Sequence, residues 1–208
     1  MSRDSSKKGP QQAREALRKY TRSLLESIVR PLARTGVSPN VLTLCGFLAT
    51  LPVAYLLAKG HERVAGLLII FVGLFDALDG ALARITGKVT PFGAFFDSTL
   101  DRFSEIALYL GLLYLYRGAT LETVLIYLTI TGSLMVSYTR ARADGLGVEC
   151  KVGFFSRLER MAVLVVGLIL EQTLLALIVL AIFSNLTALQ RIWHVRRASM
   201  RDLTESDH

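Results

Sequence analysis

Long apolar runs separated by short polar turns dominate the chain from residue 41 to residue 193. Each run is close to the ~20 apolar residues that a helix needs to cross the hydrocarbon of a bilayer. The pattern predicts an all-α integral membrane protein whose six transmembrane helices have these approximate bounds: Val41–Ala58, Val64–Arg84, Phe92–Tyr116, Leu121–Arg142, Gly153–Leu170 and Leu174–Trp193.

The last two runs allow a second interpretation, one continuous span from Met161 to Phe183 with Glu171 buried at its centre. The distribution of basic residues favours a hairpin of two spans that turns at Glu171. With six spans and a cytoplasmic N-terminus, 21 Lys and Arg residues lie inside and only 3 lie outside. This asymmetry agrees with the positive-inside rule, so we predict six spans.

The region before the first span is polar and basic. Residues 1–10 are predicted to be disordered. Residues 11–38 place leucines among arginines at helical spacing, which predicts an amphipathic juxtamembrane helix and turn on the membrane surface. Ser38 is a plausible N-cap with Pro39 at the first helical position. The membrane domain then covers residues 39–195, and residues 196–208 form a polar tail.

Composition supports a membrane protein. The chain is 52% hydrophobic with a mean hydropathy of +0.45, which is too apolar for an ordinary soluble domain. Its net charge of +7 suits nucleic acid or an anionic membrane surface and anionic substrates. The apolar runs decide for the membrane and against nucleic acid. The two cysteines give no disulfide framework or thiolate metal site, and the first forty residues contain no apolar core of a cleavable signal peptide.

Four acidic residues enter two of these apolar segments. Asp76 and Asp79 follow the apolar run 67–75, and Asp97 and Asp101 lie near the start of the run that ends at residue 116. Ionised carboxylates are costly there unless something offsets their charge. Spacings of three and four place each pair on one helix face. If those faces pack together, four carboxylates converge on a site that suits Mg²⁺ or Mn²⁺.

The complete string from Asp76 to Asp101 is D-x-x-D-G-x-x-A-R-x(8)-G-x(3)-D-x(3)-D, with eight fixed positions over 26 residues. It resembles the signature of the CDP-alcohol phosphotransferases, integral membrane enzymes that make phospholipids. The competing interpretation is that the aspartates cap helices or form ion pairs at the membrane edge. That interpretation is weakened because Arg84 and Arg102 are the only nearby arginines for four aspartates.

The resemblance implies displacement at phosphorus, in which a hydroxyl attacks the β-phosphoryl group of a CDP-linked lipid and CMP leaves. Asp76, Asp79 and Asp97 are then ligands of one or, more in keeping with the family, two divalent ions, which neutralise the diphosphate. Asp101 corresponds to the general base and could also contact metal. The implied binding site for the CDP-lipid consists of Asn40, Val41, Leu42, Thr43, Gly80, Arg84 and Thr90.

The two glycines of the string can each be explained by the absence of a side chain. Gly80 has no side chain beside the metal, so a nucleotide can approach the backbone closely. Gly93 could serve the same purpose or could allow two helices to pack tightly.

A second cluster concerns the acceptor. Arg140, Arg160 and Arg191 lie at the ends of the last three predicted spans. Each alone is explained as a snorkelling or positive-inside residue. Together they suit an acceptor that carries a phosphate dianion. The combination resembles the phosphatidylinositol-phosphate synthases, in which matching positions bind the phosphate of inositol 1-phosphate. Arg140 departs from the lysine that is common at its position there.

The resemblance therefore predicts transfer of a phosphatidyl-type group to inositol 1-phosphate, by an enzyme of the cell membrane whose active site faces the cytoplasm. Glycerol 3-phosphate is the alternative acceptor. A cation transporter with intramembrane aspartates and a non-catalytic membrane scaffold are alternatives from other classes. The sequence leaves open whether the lipid is a diacylglycerol or an archaeal diether. Relatives form homodimers, which we expect here as well.

Overall fold

A computed structural model describes residues 29–206, with side chains described through residue 200. Regular structure in this range is entirely helical. The described part of α1 is residues 29–34. The following helices are α2 (Pro39–Ala58), α3 (Glu62–Thr86), α4 (Pro91–Leu115), α5 (Thr120–Asp144), α6 (Arg157–Ile169) and α7 (Thr173–Ser206). The predicted disordered segment 1–10 and most of the predicted amphipathic helix lie outside the described residues.

Four helices are long and apolar enough to cross a membrane. They are α2, α3, α5 and residues Thr173–Met200 of α7, as found within the described part of the chain. Helix α4 has 25 residues but carries Asp97, Asp101, Arg102 and Glu105 between residues 97 and 105. Helix α6 has 13 residues, or about 20 Å at the rise of an α-helix, against about 30 Å of hydrocarbon. Residues 29–206 thus form an all-helical structure with four candidate spans.

A break between α6 and α7 confirms the predicted turn at Glu171. Helix α6 ends at Ile169 and α7 begins at Thr173, with Glu171 between them at a φ of 55°. The alternative of one continuous span from Met161 to Phe183 is wrong, because the backbone reverses at Glu171. Helix α6, which corresponds to the predicted fifth span, is shorter than predicted. The segment before Arg157 is not helical, and Gly153 has a φ of 104°.

Large apolar side chains cover much of the surface. Water-exposed patches of this extent are unusual in soluble proteins, whereas lipid-facing helices require them. Examples on different helices are Tyr55, Phe71, Leu110, Tyr127, Val166 and Ile182, each more than 45% exposed.

The chain divides into two compact units. The described residues of the first are 29–48 and 72–101. Its core contains Val29, Leu42, Ala81 and Leu82, with Phe75 packed against them. This core fixes the start of α2 against the second half of α3, where the first aspartate pair lies.

The second unit contains residues 49–71 and 102–206. Helices α5 and α7 pack closely in it because Gly132 has no side chain. A Cβ at Gly132 would lie 2.7 Å from Asn185 Nδ2, and this nitrogen donates to the carbonyl of Leu128 at 3.0 Å. Small residues and side-chain amides are typical of helix contacts in membranes.

Candidate active site

The first aspartate pair is held on α3 against the start of α2. Asp79 is 5% exposed, and the hydroxyl of Thr43 donates to its Oδ2 at 2.7 Å. Gly46, one turn after Thr43, lies beside Phe75 and Asp76. A Cβ at Gly46 would be 3.1 Å from Phe75 Cβ and 4.0 Å from Asp76 Oδ1. Close packing of α2 on α3 therefore positions both carboxylates.

Asp79 interacts electrostatically with two other aspartates of the signature, Asp76 on its own helix and Asp97 on α4. Repulsion between carboxylates that are partly removed from water is destabilising unless a cation or proton offsets it. Both the donor type and this electrostatic arrangement fit a hard divalent cation.

The four carboxylates do not converge on one point in the described structure. Across residues 29–200, no three acidic, histidine or cysteine side chains converge tightly enough to hold a metal ion. One oxygen of Asp79 is directed at Thr43 instead. Asp76, Asp97 and Asp101 are half-buried. Convergence of all four aspartates on metal remains a prediction.

Thr90 begins α4 as its N-cap. Its hydroxyl accepts a hydrogen bond from Gly93 N at 3.0 Å, and Pro91 occupies the first helical position, the favoured arrangement for this helix end. A Cβ at Gly93 would lie 3.0 Å from Thr90 Oγ1 and 3.2 Å from Asn40 Oδ1. Three residues of the signature and the predicted nucleotide site are thus brought together, since Gly93 has no side chain.

The predicted nucleotide residues Gly80 and Arg84 are also neighbours. A Cβ at Gly80 would lie 3.3 Å from Arg84 Nη1, so the guanidinium folds back over the glycine. Arg84 is exposed and could reach a diphosphate. Of the remaining predicted contacts, Val41 is 49% exposed, whereas the Leu42 side chain belongs to the core. Leu42 can therefore offer a nucleotide little beyond its backbone.

The second unit contains the three predicted acceptor arginines. Arg160 is 1% exposed and forms a bidentate ion pair with Glu105. Its Nε donates to Oε1 at 2.9 Å and its Nη2 to Oε2 at 3.0 Å. Ser133 donates to the same carboxylate at 2.5 Å. Arg160 is therefore buried with one edge of its guanidinium occupied, which excludes a residue that snorkels to the membrane surface, and its role in binding the acceptor phosphate remains a prediction.

Arg191 and Arg140 have different surroundings. Arg191 is 4% exposed, and its guanidinium donates to the carbonyls of Val152, at 3.0 Å, and Val136. Arg140 is exposed, with Asp144 at 4.0 Å. The charges of Arg140 and Arg160 both act on Arg191, so the three cations are electrostatic neighbours.

The segment between α5 and α6 covers these basic side chains with backbone carbonyls. The carbonyl of Val152 contacts Arg191, that of Phe155 lies 3.4 Å from Arg160 Nη1, and that of Glu149 lies 3.1 Å from His194 Nε2. Carbonyls satisfy N–H donors without neutralising their charge. The cluster therefore retains a positive charge that suits an anion.

Sequence reasoning missed Glu105 and Ser133. The available signal was spacing, because Glu105 continues the four-residue spacing of Asp97 and Asp101 along α4. Its partner is 55 residues away, and no periodicity within α4 identifies that partner.

Comparison with known proteins adds to this geometry. The family profile described as CDP-alcohol phosphatidyltransferase matches residues 36–194. The archaetidylinositol phosphate synthase of Pyrococcus horikoshii is 36% identical over 182 residues, which cover 87% of this chain and 95% of that protein.

Two solved structures of the phosphatidylinositol phosphate synthase of Mycobacterium tuberculosis are similar in fold. The structure with CDP-DAG bound has a TM-score of 0.78 at 32% identity and covers 83% of this chain and 94% of its own. The complex with manganese and citrate has a TM-score of 0.78 at 31% identity and covers 82% and 88%, respectively.

Proposed function

The chain belongs to the CDP-alcohol phosphatidyltransferase family, and we propose that it transfers the phosphatidyl-type group of a CDP-linked lipid to inositol 1-phosphate and releases CMP. Similarity over most of the chain to synthases of archaetidylinositol phosphate and phosphatidylinositol phosphate is the observation that carries this proposal. The aspartate signature and the cluster of three arginines support it independently.

The CDP-lipid and metal roles fall to the first unit. Asp76, Asp79, Asp97 and Asp101 would hold one or two divalent ions, Mg²⁺ or Mn²⁺, and the complex of a relative with manganese supports this assignment. Such a bound ion supplies charge neutralisation on the diphosphate. Asp101 takes the proton from the attacking hydroxyl. The nucleotide contacts are Asn40, Val41, Leu42, Thr43, Gly80, Arg84 and Thr90.

The acceptor role falls to the second unit. Arg191 is a buried cation held by carbonyls, so it keeps a charge that an anion can neutralise. Arg140 is exposed and acts electrostatically on Arg191, so it can approach a mobile substrate. A phosphate monoester carries a charge of about −1.5 to −2 at neutral pH, which suits such a cluster. Arg160 takes part through the edge that Glu105 does not occupy.

The enzyme is placed in the cell membrane with its active site towards the cytoplasm and with six crossings, α2 to α7. The distribution of 21 basic residues inside and 3 outside supports this topology. Helix α6 is short for a crossing, which local thinning of the bilayer can accommodate at modest cost. The homodimer expected from the family can be checked by light scattering of the purified protein.

An acceptor panel tests the proposal directly. Purified protein in detergent receives CDP-diacylglycerol or its diether analogue, Mg²⁺ and one acceptor at a time, and released CMP is measured. We expect inositol 1-phosphate to be used at least tenfold better than free inositol or glycerol 3-phosphate. A preference for glycerol 3-phosphate would support the proposed reaction but would contradict inositol 1-phosphate as the acceptor. Absence of CMP release with every acceptor would contradict the transferase assignment.

A further inference from the structure

The buried carboxylate of Glu105 holds the guanidinium of Arg160 in one plane. The two hydrogen bonds, Nε to Oε1 at 2.9 Å and Nη2 to Oε2 at 3.0 Å, use one whole edge of the guanidinium fork. Bidentate pairing of this kind fixes orientation as well as distance. With exposures of 5% and 1%, both side chains are shielded from bulk solvent.

Glu105 is itself held by a second contact. The hydroxyl of Ser133, on α5, donates to Oε1, the oxygen that also accepts from Arg160 Nε. The three residues come from α4, α5 and α6, so the carboxylate cannot rotate without losing contacts to two other helices. The orientation of Arg160 is therefore set by three elements of the fold.

The other edge of Arg160 is held more weakly. Within the described part of the chain, its Nη1 donates to the carbonyl of Phe155 at 3.4 Å, which is longer than the usual 2.7–3.2 Å range for an N–H···O bond. A phosphate oxygen binds a guanidinium at about 2.7–2.9 Å, so it could replace this contact. The neighbouring cations Arg140 and Arg191 make the same region favourable for an anion.

We propose that Glu105 is a positioning residue for the acceptor, which clamps the inner edge of Arg160 so that the outer edge faces the acceptor's phosphate. This inference rests on the proposed function, since it concerns how the same acceptor is bound. Glu105 does not contact substrate and acts only through Arg160.

The direction in which the acceptor KM changes when Glu105 loses its charge distinguishes positioning of Arg160 from simple neutralisation of the basic cluster. If Glu105 only cancels positive charge, removal of its charge leaves a more cationic cluster, and the KM for a phosphorylated acceptor should fall. If Glu105 positions Arg160, removal of its charge releases the guanidinium, and this KM should rise.

The test compares wild-type enzyme with Glu105→Gln, which keeps size and removes charge. We expect the KM for inositol 1-phosphate to rise at least about tenfold, as for loss of one charge-assisted contact, while the KM for CDP-lipid changes less than about twofold. Glu105→Asp, which restores the carboxylate, should recover part of the acceptor affinity. Titration calorimetry with inositol 1-phosphate gives the same comparison without turnover.

Thr129→Ala is the matched control. Thr129 is a buried residue on α5, one turn before Ser133, and its hydroxyl donates to the carbonyl of Leu125 in its own helix. The KM of the Thr129→Ala enzyme for the acceptor should equal that of the wild type. If Glu105→Gln does not fold, Ser133→Ala removes only the hydroxyl that fixes Glu105, and it should raise the acceptor KM by a smaller factor.

A normal or lowered acceptor KM in Glu105→Gln, or in Ser133→Ala where the first variant does not fold, overturns the positioning role. A lower thermal stability with unchanged acceptor affinity would have the same consequence, because the ion pair would then be only structural. If the wild-type enzyme neither binds nor uses inositol 1-phosphate, the proposed function fails instead.

Discussion

Thr43 and Asp79 join α2 to α3 through a hydrogen bond of 2.7 Å between Thr43 Oγ1 and Asp79 Oδ2, across 36 residues of sequence. The sequence assigned these residues to different ligands, Thr43 to the CDP-lipid and Asp79 to metal. Their contact shows that the residue predicted for the nucleotide also supports a carboxylate predicted for the metal. A substitution of either residue should therefore affect both CDP-lipid binding and metal binding.

Thr43→Val should lower CMP release by about tenfold, because it removes a side-chain hydrogen-bond donor to the buried Asp79 while it preserves shape. A hydrogen bond to a charged group is worth about 1.5–3 kcal/mol. Thr43→Ser keeps the hydroxyl and should retain most activity. Initial rates at several Mg²⁺ concentrations test this, and equal rates for the valine variant and wild type would contradict the supporting role.

Asp76→Asn and Asp97→Asn should each abolish transfer while the protein still inserts and folds. Asparagine keeps the size of the side chain but removes the charge that holds a divalent ion. Mn²⁺ binding to the purified variants, followed by electron paramagnetic resonance, should weaken in parallel with CMP release. Glu122→Gln, in the first turn of α5, is the control for loss of one acidic residue. Substantial Mg²⁺-dependent turnover in either aspartate variant would contradict the metal assignment.

The aspartate string could be predicted because its spacing is local. Helical periodicity places Asp76 with Asp79 and Asp97 with Asp101, and the structure brings Asp79 within the electrostatic reach of Asp76 and Asp97. The hairpin turn at Glu171 was predicted from charge asymmetry. The first inference depends on residues that are close together in the chain, and the second depends on the asymmetry of charge across the membrane. Neither needs any detail of tertiary packing.

The burial of Arg160 could not be predicted in the same way. A basic residue at the start of a span normally snorkels to the membrane surface, and the sequence gives no sign that Arg160 meets Glu105 across 55 residues. Its environment is decided by how α4, α5 and α6 pack. The length of α6 was overestimated for a related reason, since the apolar residues 153–155 pack as an irregular segment with Phe155 buried.

Asp101→Asn should reduce turnover by at least about a hundredfold, the lower range for loss of a general base. Equilibrium binding of CDP-lipid should change less than about twofold, because the proton is removed from the acceptor and the nucleotide is held elsewhere. Single-turnover rates and binding isotherms provide the two measurements. A parallel loss of binding and turnover would instead identify Asp101 chiefly as a metal ligand.

Gly93→Ala should raise the KM for CDP-lipid several-fold and leave the acceptor KM unchanged. The new Cβ would lie 3.0 Å from Thr90 Oγ1 and 3.2 Å from Asn40 Oδ1, so at least one of these predicted nucleotide contacts must shift. Alanine is favoured over glycine in a helix by about 1 kcal/mol, so stability should not fall much. Gly73→Ala on α3, where nothing lies within 4 Å of the added Cβ, is the control. Normal CDP-lipid kinetics in Gly93→Ala would assign the glycine to helix packing alone.

Alanine variants of the acceptor arginines should all have a higher KM for the acceptor, but they should differ in thermal stability. Arg140→Ala should raise the KM for inositol 1-phosphate at least about tenfold with an unchanged Tm, because the side chain is exposed and its contact with Asp144 is long at 4.0 Å. Arg191→Ala should raise the same KM and also lower the Tm, since the carbonyls of Val136 and Val152 lose their donor.

Arg160→Ala should be the least stable of the three acceptor variants, because it leaves the Glu105 carboxylate buried without its cation, at a cost of about 3–5 kcal/mol. Free inositol, which lacks the phosphate, should show no comparable change in KM for Arg140→Ala. Arg63→Ala, which removes only the exposed pair with Glu171, is the control for loss of one positive charge. If Arg140→Ala and Arg191→Ala both keep a normal KM for inositol 1-phosphate, these arginines serve topology and packing, and the acceptor's phosphate must be bound by other residues.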